Sequence, residues 1–275
     1  MRAPDQTPAA SDPREAIKQD DGFVATFLSA PIANWMLRRV ADSPITPNHV
    51  TALSALVAVA AAAAFASGAW PLLVVGGVLL QLSFVFDCLD GQLARHRGAA
   101  SAFGAWLDFM TDCLQDVVLV AGIAAGCAAR SGGSSSNAYL WGYATLFVLM
   151  YRRFDGLVLE RVLGPEYRSV FGGPHRPIAD EGKAKVIAEL RARKSLRWGP
   201  LARLLDRLAP RATERPSAVA IWAKRALLFR EGERYLAISL LAVLGRPEWI
   251  FPTIVVVGGV LYPLTTLRRW QLFAP

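Results

Sequence analysis

Four aspartates stand inside apolar runs, where a charge is costly to keep. Asp87 and Asp90 lie three residues apart near the end of one run, and Asp108 and Asp112 four apart near the start of the next. On helices each pair shares one face. The short connection 96–102 lets the two helices form a hairpin that brings the pairs together. Four carboxylates at close quarters repel one another and stay ionised only beside positive charge. Hard oxygen donors favour Mg²⁺, Mn²⁺ or Ca²⁺. Four acids also suffice for two divalent cations, the arrangement that clamps phosphoryl groups during in-line displacement. Gly91 and Ala94 share the face of Asp87 and Asp90, and Gly104 sits one turn before Asp108, so small residues leave room for a ligand. Arg95, at the edge of the run, carries a guanidinium suited to a phosphate or carboxylate.

The elements that must position these acids are membrane helices. The chain has 275 residues, 53% hydrophobic and 19% charged. It is too apolar for a disordered chain, and its apolar runs are too long for an ordinary soluble enzyme. Six segments have the makings of spans, each needing about 20 residues. They lie near 49–68, Trp70–Ala94, Phe103–Ala128, Ala138–Leu159, Tyr235–Leu244 (extended backwards from Ser217) and Trp249–Leu267. The expected fold is an all-α integral membrane bundle of six transmembrane helices with cytoplasmic interfacial helices. The polar stretch Ser131–Asn137 reads as a turn between the third and fourth segments. The three cysteines sit apart inside apolar stretches, which points away from a disulfide framework or a zinc site.

Charge orients the helices. Of the 30 Lys+Arg, 18 fall within 152–232, against 9 acids there. Only Arg130 and Arg246 fall on the opposite side. The positive-inside rule then makes both termini, the 95–102 loop and the long basic segment cytoplasmic, in a bacterial or archaeal cytoplasmic membrane. The formal net charge of +8 is explained by topology, and no nucleic-acid partner is expected. Residues 1–21 carry five acids against three bases, the reverse of a signal peptide's leading region, and read as a disordered tail. Residues 22–46 form a juxtamembrane helix. Its apolar stripe of Phe23, Phe27, Leu28, Ile32, Trp35 and Met36 suits either the membrane interface or packing on the protein itself. Residues 47–275 make the membrane domain.

The string Asp87-x2-Asp90-Gly91-x2-Ala94-Arg95-x8-Gly104-x3-Asp108-x3-Asp112 resembles the signature of the CDP-alcohol phosphotransferase family, also called the CDP-alcohol phosphatidyltransferases. All eight fixed identities match. Ile45–Thr51 resembles a second, weaker family feature. The resemblance implies transfer of a substituted phosphoryl group from a CDP-alcohol, either CDP-diacylglycerol or a soluble one, to an acceptor alcohol, with release of CMP. It implies two divalent cations, Mg²⁺ or Mn²⁺, on Asp87, Asp90, Asp108 and Asp112, with Asp112 also the general base. It further implies that Asn48 and Thr51 contact the diphosphate. Gly91, Ala94 and Gly104 would line the nucleotide pocket and Arg95 would fix the site. A homodimer among membrane lipids is implied too.

Other residues admit two readings. Arg152 and Arg153 are interfacial anchors or ligands of an anionic acceptor, such as a polyol or inositol phosphate, and Arg234 faces the same choice. Asp116 continues the face of Asp112 by one more turn outside the signature. It reads as a supporting hydrogen-bond partner, a partner for Arg or Thr, or a solvated residue, but not as catalytic. Ser83 reads as a helix-packing hydroxyl. Segment 161–216 is either a set of basic amphipathic helices or a lid over the acceptor. His49, His96 and His175 are scattered and form no metal cluster. A Mg²⁺-dependent prenyltransferase would separate its acidic motifs, whereas these are adjacent. A cation- or proton-coupled transporter would show repeated halves.

Overall fold

A computed structural model of the chain describes residues 22–99, 101–131, 136–171 and 229–273. Among them every regular element is helical. A π-helical stretch, Ala25–Ser29, leads into α1 (Ala30–Val40). Then follow α2 (Pro47–Ala66), α3 (Trp70–His96), α4 (Ala102–Arg130), α5 (Ser136–Phe171), α6 (Glu231–Val243), a 3₁₀ turn Pro247–Trp249, and α7 (Ile250–Phe273). Two compact units emerge. One holds the described part of 22–150 with 229–258, and the other holds 151–171 with 259–273.

Four helical stretches are long and apolar enough to cross a membrane: Pro47–Ala66, Trp70–His96, Ala102–Arg130 and Pro247–Leu267. The protein is an integral membrane protein. Of the two other expected spans, α5 runs for 36 residues and starts at Ser136, inside the stretch expected to be a turn. At ~1.5 Å per residue it is longer than the hydrocarbon core, but it is not among the stretches apolar enough to cross it. The α6 helix departs from expectation. It has 13 residues, about 20 Å of helix, against a core of about 30 Å. It does not run on backwards through 229–230, because Phe229 has a φ of +42° and Arg230 is extended. The expectations for residues 1–21 and for most of 161–216 lie outside the described residues.

Local chemistry sets the boundaries. Pro47 opens α2 at a position where a missing N–H costs nothing. Thr46 caps it: its hydroxyl accepts from His49 N–H at 3.3 Å, and His49 Nδ1 accepts from Thr46 N–H at 3.3 Å, so two orphan donors are satisfied reciprocally. His49 is thus a capping residue. Ser101 caps α4 by accepting from Gly104 N–H at 3.0 Å. The tight turn between α2 and α3 needs Gly68, whose φ is +68°.

In the first unit α2 packs against both α3 and α4, while α3 and α4 touch each other little. This differs from the simple α3–α4 hairpin expected. The reason is the small residues: a methyl group on Gly122 or Gly126 of α4 would run into the carbonyls of Ala62 and Phe65 on α2. Such missing side chains let backbones approach closely in a membrane, where apolar burial gives no drive for association. Ser54 and Ser83 stitch α2 to α3, each donating to the other's carbonyl at 3.0 Å, so Ser83 is the packing hydroxyl expected. The α6 helix lies along α3, where Ser239 donates to Gly77 O at 2.9 Å and accepts from Gln81.

The juxtamembrane segment packs on the protein along one face and is exposed along the other. Ala33 and Leu37 are buried with Val50, Val85, Leu89 and Leu93, with Met36 packed alongside. Phe23, Phe27, Leu28, Ile32 and Trp35 point outward, 42–57% exposed. In the second unit Arg152 lies over the Tyr262 ring, 5.1 Å from its centroid, and donates to its hydroxyl at 3.4 Å.

Candidate active site

Three of the four aspartates meet. One carboxylate oxygen each from Asp87, Asp90 and Asp108 lies within 4.8 Å of the others. They come from two helices, the last turns of α3 and the second turn of α4. Burial is graded across the group: Asp90 is buried, Asp87 half-buried and Asp108 exposed, as expected of a site open on one side. Asp112, one turn beyond Asp108, lies close enough to Asp87 for their charges to interact. An all-carboxylate oxygen set at this spacing fits a hard divalent cation such as Mg²⁺ or Mn²⁺.

The neighbouring residues of the motif converge on the same place. Thr51, in the second turn of α2, donates its hydroxyl to the Asp90 carboxylate and also to Pro47 O at 3.2 Å. Asn48 is exposed at the same end of α2, and a Cβ on Gly104 would stand 3.7 Å from its Oδ1. Thus α2 supplies a third wall, carrying Asn48 and Thr51, to the acids of α3 and α4. Arg95 folds back over Gly91: a Cβ there would sit 3.2 Å from the Arg95 Nη1. Gly91 therefore has a packing reason as well as the pocket role expected of it. Ala94 is half-buried on the same helix.

Asp116 is the partner for an arginine. Its carboxylate accepts from Arg234 Nη2 at 2.7 Å, with side chains 1% and 3% exposed. The guanidinium also lies 5.0 Å from the Tyr235 ring centroid. A buried pair of this kind is strongly destabilising to break, because the remaining charge is left without compensation. Arg234, read as an interfacial anchor or an acceptor ligand, is instead buried in an ion pair with Asp116. Arg152 and Arg153 belong to the second unit, where Arg152 meets Tyr262.

The first turn of α6 went unread in the sequence apart from Arg234, although Glu231-Gly232-Glu233-Arg234 is an unusual run beside an apolar segment. Three of the four residues join α6 to another element. Gly232 is packed against Phe84 and Val24, with a Cβ position 2.9 Å from the Phe84 ring. Glu233 accepts from Val24 N–H at 3.2 Å, capping the juxtamembrane helix at the end where a carboxylate is favoured. Arg234 pairs with Asp116 on α4.

Comparison with known proteins points the same way. A model of the family described as CDP-alcohol phosphatidyltransferase matches residues 44–171, which run from just before α2 to the end of α5. Phosphatidylinositol phosphate synthase of Mycobacteroides abscessus is 36% identical over 157 residues, 57% of this chain and 68% of that protein. Archaetidylinositol phosphate synthase of Methanothermobacter thermautotrophicus is 39% identical over 97 residues, 35% of this chain and 48% of its own. The bifunctional IPC transferase and DIPP synthase of Rubrobacter xylanophilus is 33% identical over 127 residues, 46% of this chain and 28% of its own. The chain thus spans just under half of the archaeal relative and under a third of the Rubrobacter one.

Proposed function

The chain belongs to the CDP-alcohol phosphatidyltransferase family, and on that premise we propose that it transfers a phosphatidyl-type group from a CDP-linked lipid to a phosphorylated polyol of the inositol phosphate class, releasing CMP. The observation that carries this reading is the meeting of Asp87, Asp90 and Asp108 from two helices beside Thr51. The relatives' names, with inositol and phosphate in two of three, support the acceptor class.

Each residue then has a task. Asn48 and Thr51 contact the donor's diphosphate, Asn48 through its amide N–H. Gly91, Ala94 and Gly104 leave space for the nucleotide, and Arg95 holds the pocket's edge. Asp112 accepts the proton of the acceptor hydroxyl as that oxygen bonds to the phosphorus distal to cytidine. The bond from that phosphorus to the bridging oxygen breaks, and CMP leaves with the electron pair. Two divalent cations, Mg²⁺ or Mn²⁺, held by Asp87, Asp90, Asp108 and Asp112, supply charge compensation for the phosphate oxygens when bound. Arg152, Arg153 or Arg234 offers positive charge to the acceptor's phosphate. The protein works as a homodimer, with its termini and site on the cytoplasmic side, the side the basic segment marks. The outward apolar face of α1 rests in the membrane interface.

The test is CMP release by the purified full chain in detergent. CDP-diacylglycerol and soluble CDP-alcohols serve as donors, and inositol phosphate, glycerol phosphate and serine as acceptors. We expect release with CDP-diacylglycerol and inositol phosphate, dependent on Mg²⁺ or Mn²⁺ and abolished by EDTA. At least one of Arg152→Ala, Arg153→Ala and Arg234→Ala should raise the acceptor KM. No CMP from any donor–acceptor pair overturns the reading, and an acceptor KM unchanged throughout the arginine series removes those residues from the acceptor site.

A further inference from the structure

Arg97 lies two residues beyond the signature arginine, at the C-cap of α3, and its guanidinium is almost wholly spent on backbone. Nε donates to Ala41 O at 3.1 Å. Nη2 donates to Val40 O and Ala41 O at 2.9 Å each and to Ser43 O at 2.7 Å. Nη1 donates to Ile45 O. These four carbonyls belong to the last residue of α1 and the turn that follows it. The end of a helix presents carbonyls without intrahelical partners and a partial negative charge, so a cation with several donors is the natural cap. Here the cap comes from another helix, more than fifty residues along the chain.

The gathered turn leads directly into the donor site. Within it Ser43 Oγ donates to Val40 O at 2.8 Å and accepts from Ile45 N–H at 3.3 Å. The next residue, Thr46, caps α2. Asn48 and Thr51 follow within one and a half turns, and Thr51 reaches Asp90 on α3. The first turns of α2 are therefore fixed to α3 at two points, by Arg97 through the turn before the helix and by Thr51 through Asp90. We propose that Arg97 is a positioning residue for the CDP-linked donor: by holding the 41–45 turn it sets where Asn48 and Thr51 stand relative to the aspartates. This rests on the transferase reading above.

A role in stability alone would lower the amount of folded protein and leave the KM values as they are. A positioning role acts on one substrate. Misplacement of a binding group by about an ångström costs up to about a hundredfold, and the loosened turn leads into Asn48 and Thr51, the residues assigned to the donor's diphosphate. Arg97→Lys is the informative variant. It keeps the positive charge at the end of α3, but an ammonium has three donors on one atom and cannot span four carbonyls as a fork does. We expect Arg97→Lys to raise the donor KM at least about tenfold, with acceptor KM and kcat within about twofold of the wild type. Hydrogen–deuterium exchange should rise across 41–51 and stay unchanged in α4. Arg97→Ala should show the same split, more strongly. If the wild type releases CMP and Arg97→Lys has a normal donor KM, or loses kcat alone, the positioning role is overturned while the transferase reading stands. If the wild type releases no CMP from any donor, the reading itself fails and the donor role of Arg97 falls with it.

Discussion

The two ends of α3 and α4 solve opposite problems. At the end near Gly68, the helices are held by backbone contact. Gly122 and Gly126 of α4 lie against carbonyls of α2 with no room for a methyl group. Arg130 donates to Gly68 O at 3.0 Å and Gly245 O at 3.4 Å, and Trp70 Nε1 donates to Val243 O at 2.9 Å. At the other end, three carboxylates of like charge are brought within 4.8 Å, which in isolation favours separation. The first end is packed backbone against backbone, with no like charges to hold together. The second end holds mutually repelling acids, and what fixes it is side chains reaching across: Thr51 to Asp90, Arg97 to the 41–45 turn. Along α4 alone one passes from Asp112 through the buried pair at Asp116 to the glycine contacts at Gly122 and Gly126. The proposed site and the tight backbone contacts thus lie at opposite ends of one helix.

Three substitutions along α4 test that separation, in order of falling effect. Asp112→Asn should lower CMP release by about 10²–10⁴-fold, the range ascribed to a general base. Donor binding and the thermal unfolding midpoint in detergent should be retained. Near wild-type turnover with metal present would remove Asp112 as the base. Asp116→Ala leaves the Arg234 guanidinium buried without its carboxylate and should cost about 3–5 kcal/mol, seen as a drop in the midpoint. The pair of changes Asp116→Leu with Arg234→Met should recover much of that loss, since replacing both charges by apolar groups is often neutral. A double variant no more stable than the single one would show that the pair is not the source. Gly126→Ala, at the far end, should cost about 1–3 kcal/mol through overpacking against Phe65 O, with both KM values unchanged. An unaltered midpoint would contradict the tight contact, and an altered donor KM would show that the two ends are not independent.

Much of this was legible along the chain. The apolar runs at Trp70–Ala94 and Phe103–Ala128 anticipated α3 and α4 to within two residues at each end, because an unbroken apolar stretch needs every backbone group satisfied within its own helix. The short connection after the first segment is legible as well, because the next apolar run starts at Trp70. The α6 helix was misread because an apolar run at 235–244 looks the same at the end of a long helix as in a short one. What ends it is the conformation of Phe229 and Arg230. The residues that close the site were legible only where the family signature included them. Arg97 shows nothing in its immediate neighbours of the four carbonyls it gathers.

By itself, the sequence determined the helices and the two acid pairs at their ends, since hydrophobic runs and i, i+3 or i, i+4 spacing are properties of neighbours. It also determined that these acids sit in an apolar setting where they need a function. The tertiary structure decided which helix lies between which. It set α2 against both α3 and α4 through backbone contacts that glycines permit, and so brought Thr51 to Asp90. It joined Asp116 to Arg234, 118 residues apart, and Arg97 to a turn more than fifty residues before it. Such pairings depend on helix packing rather than spacing, so no local pattern records them.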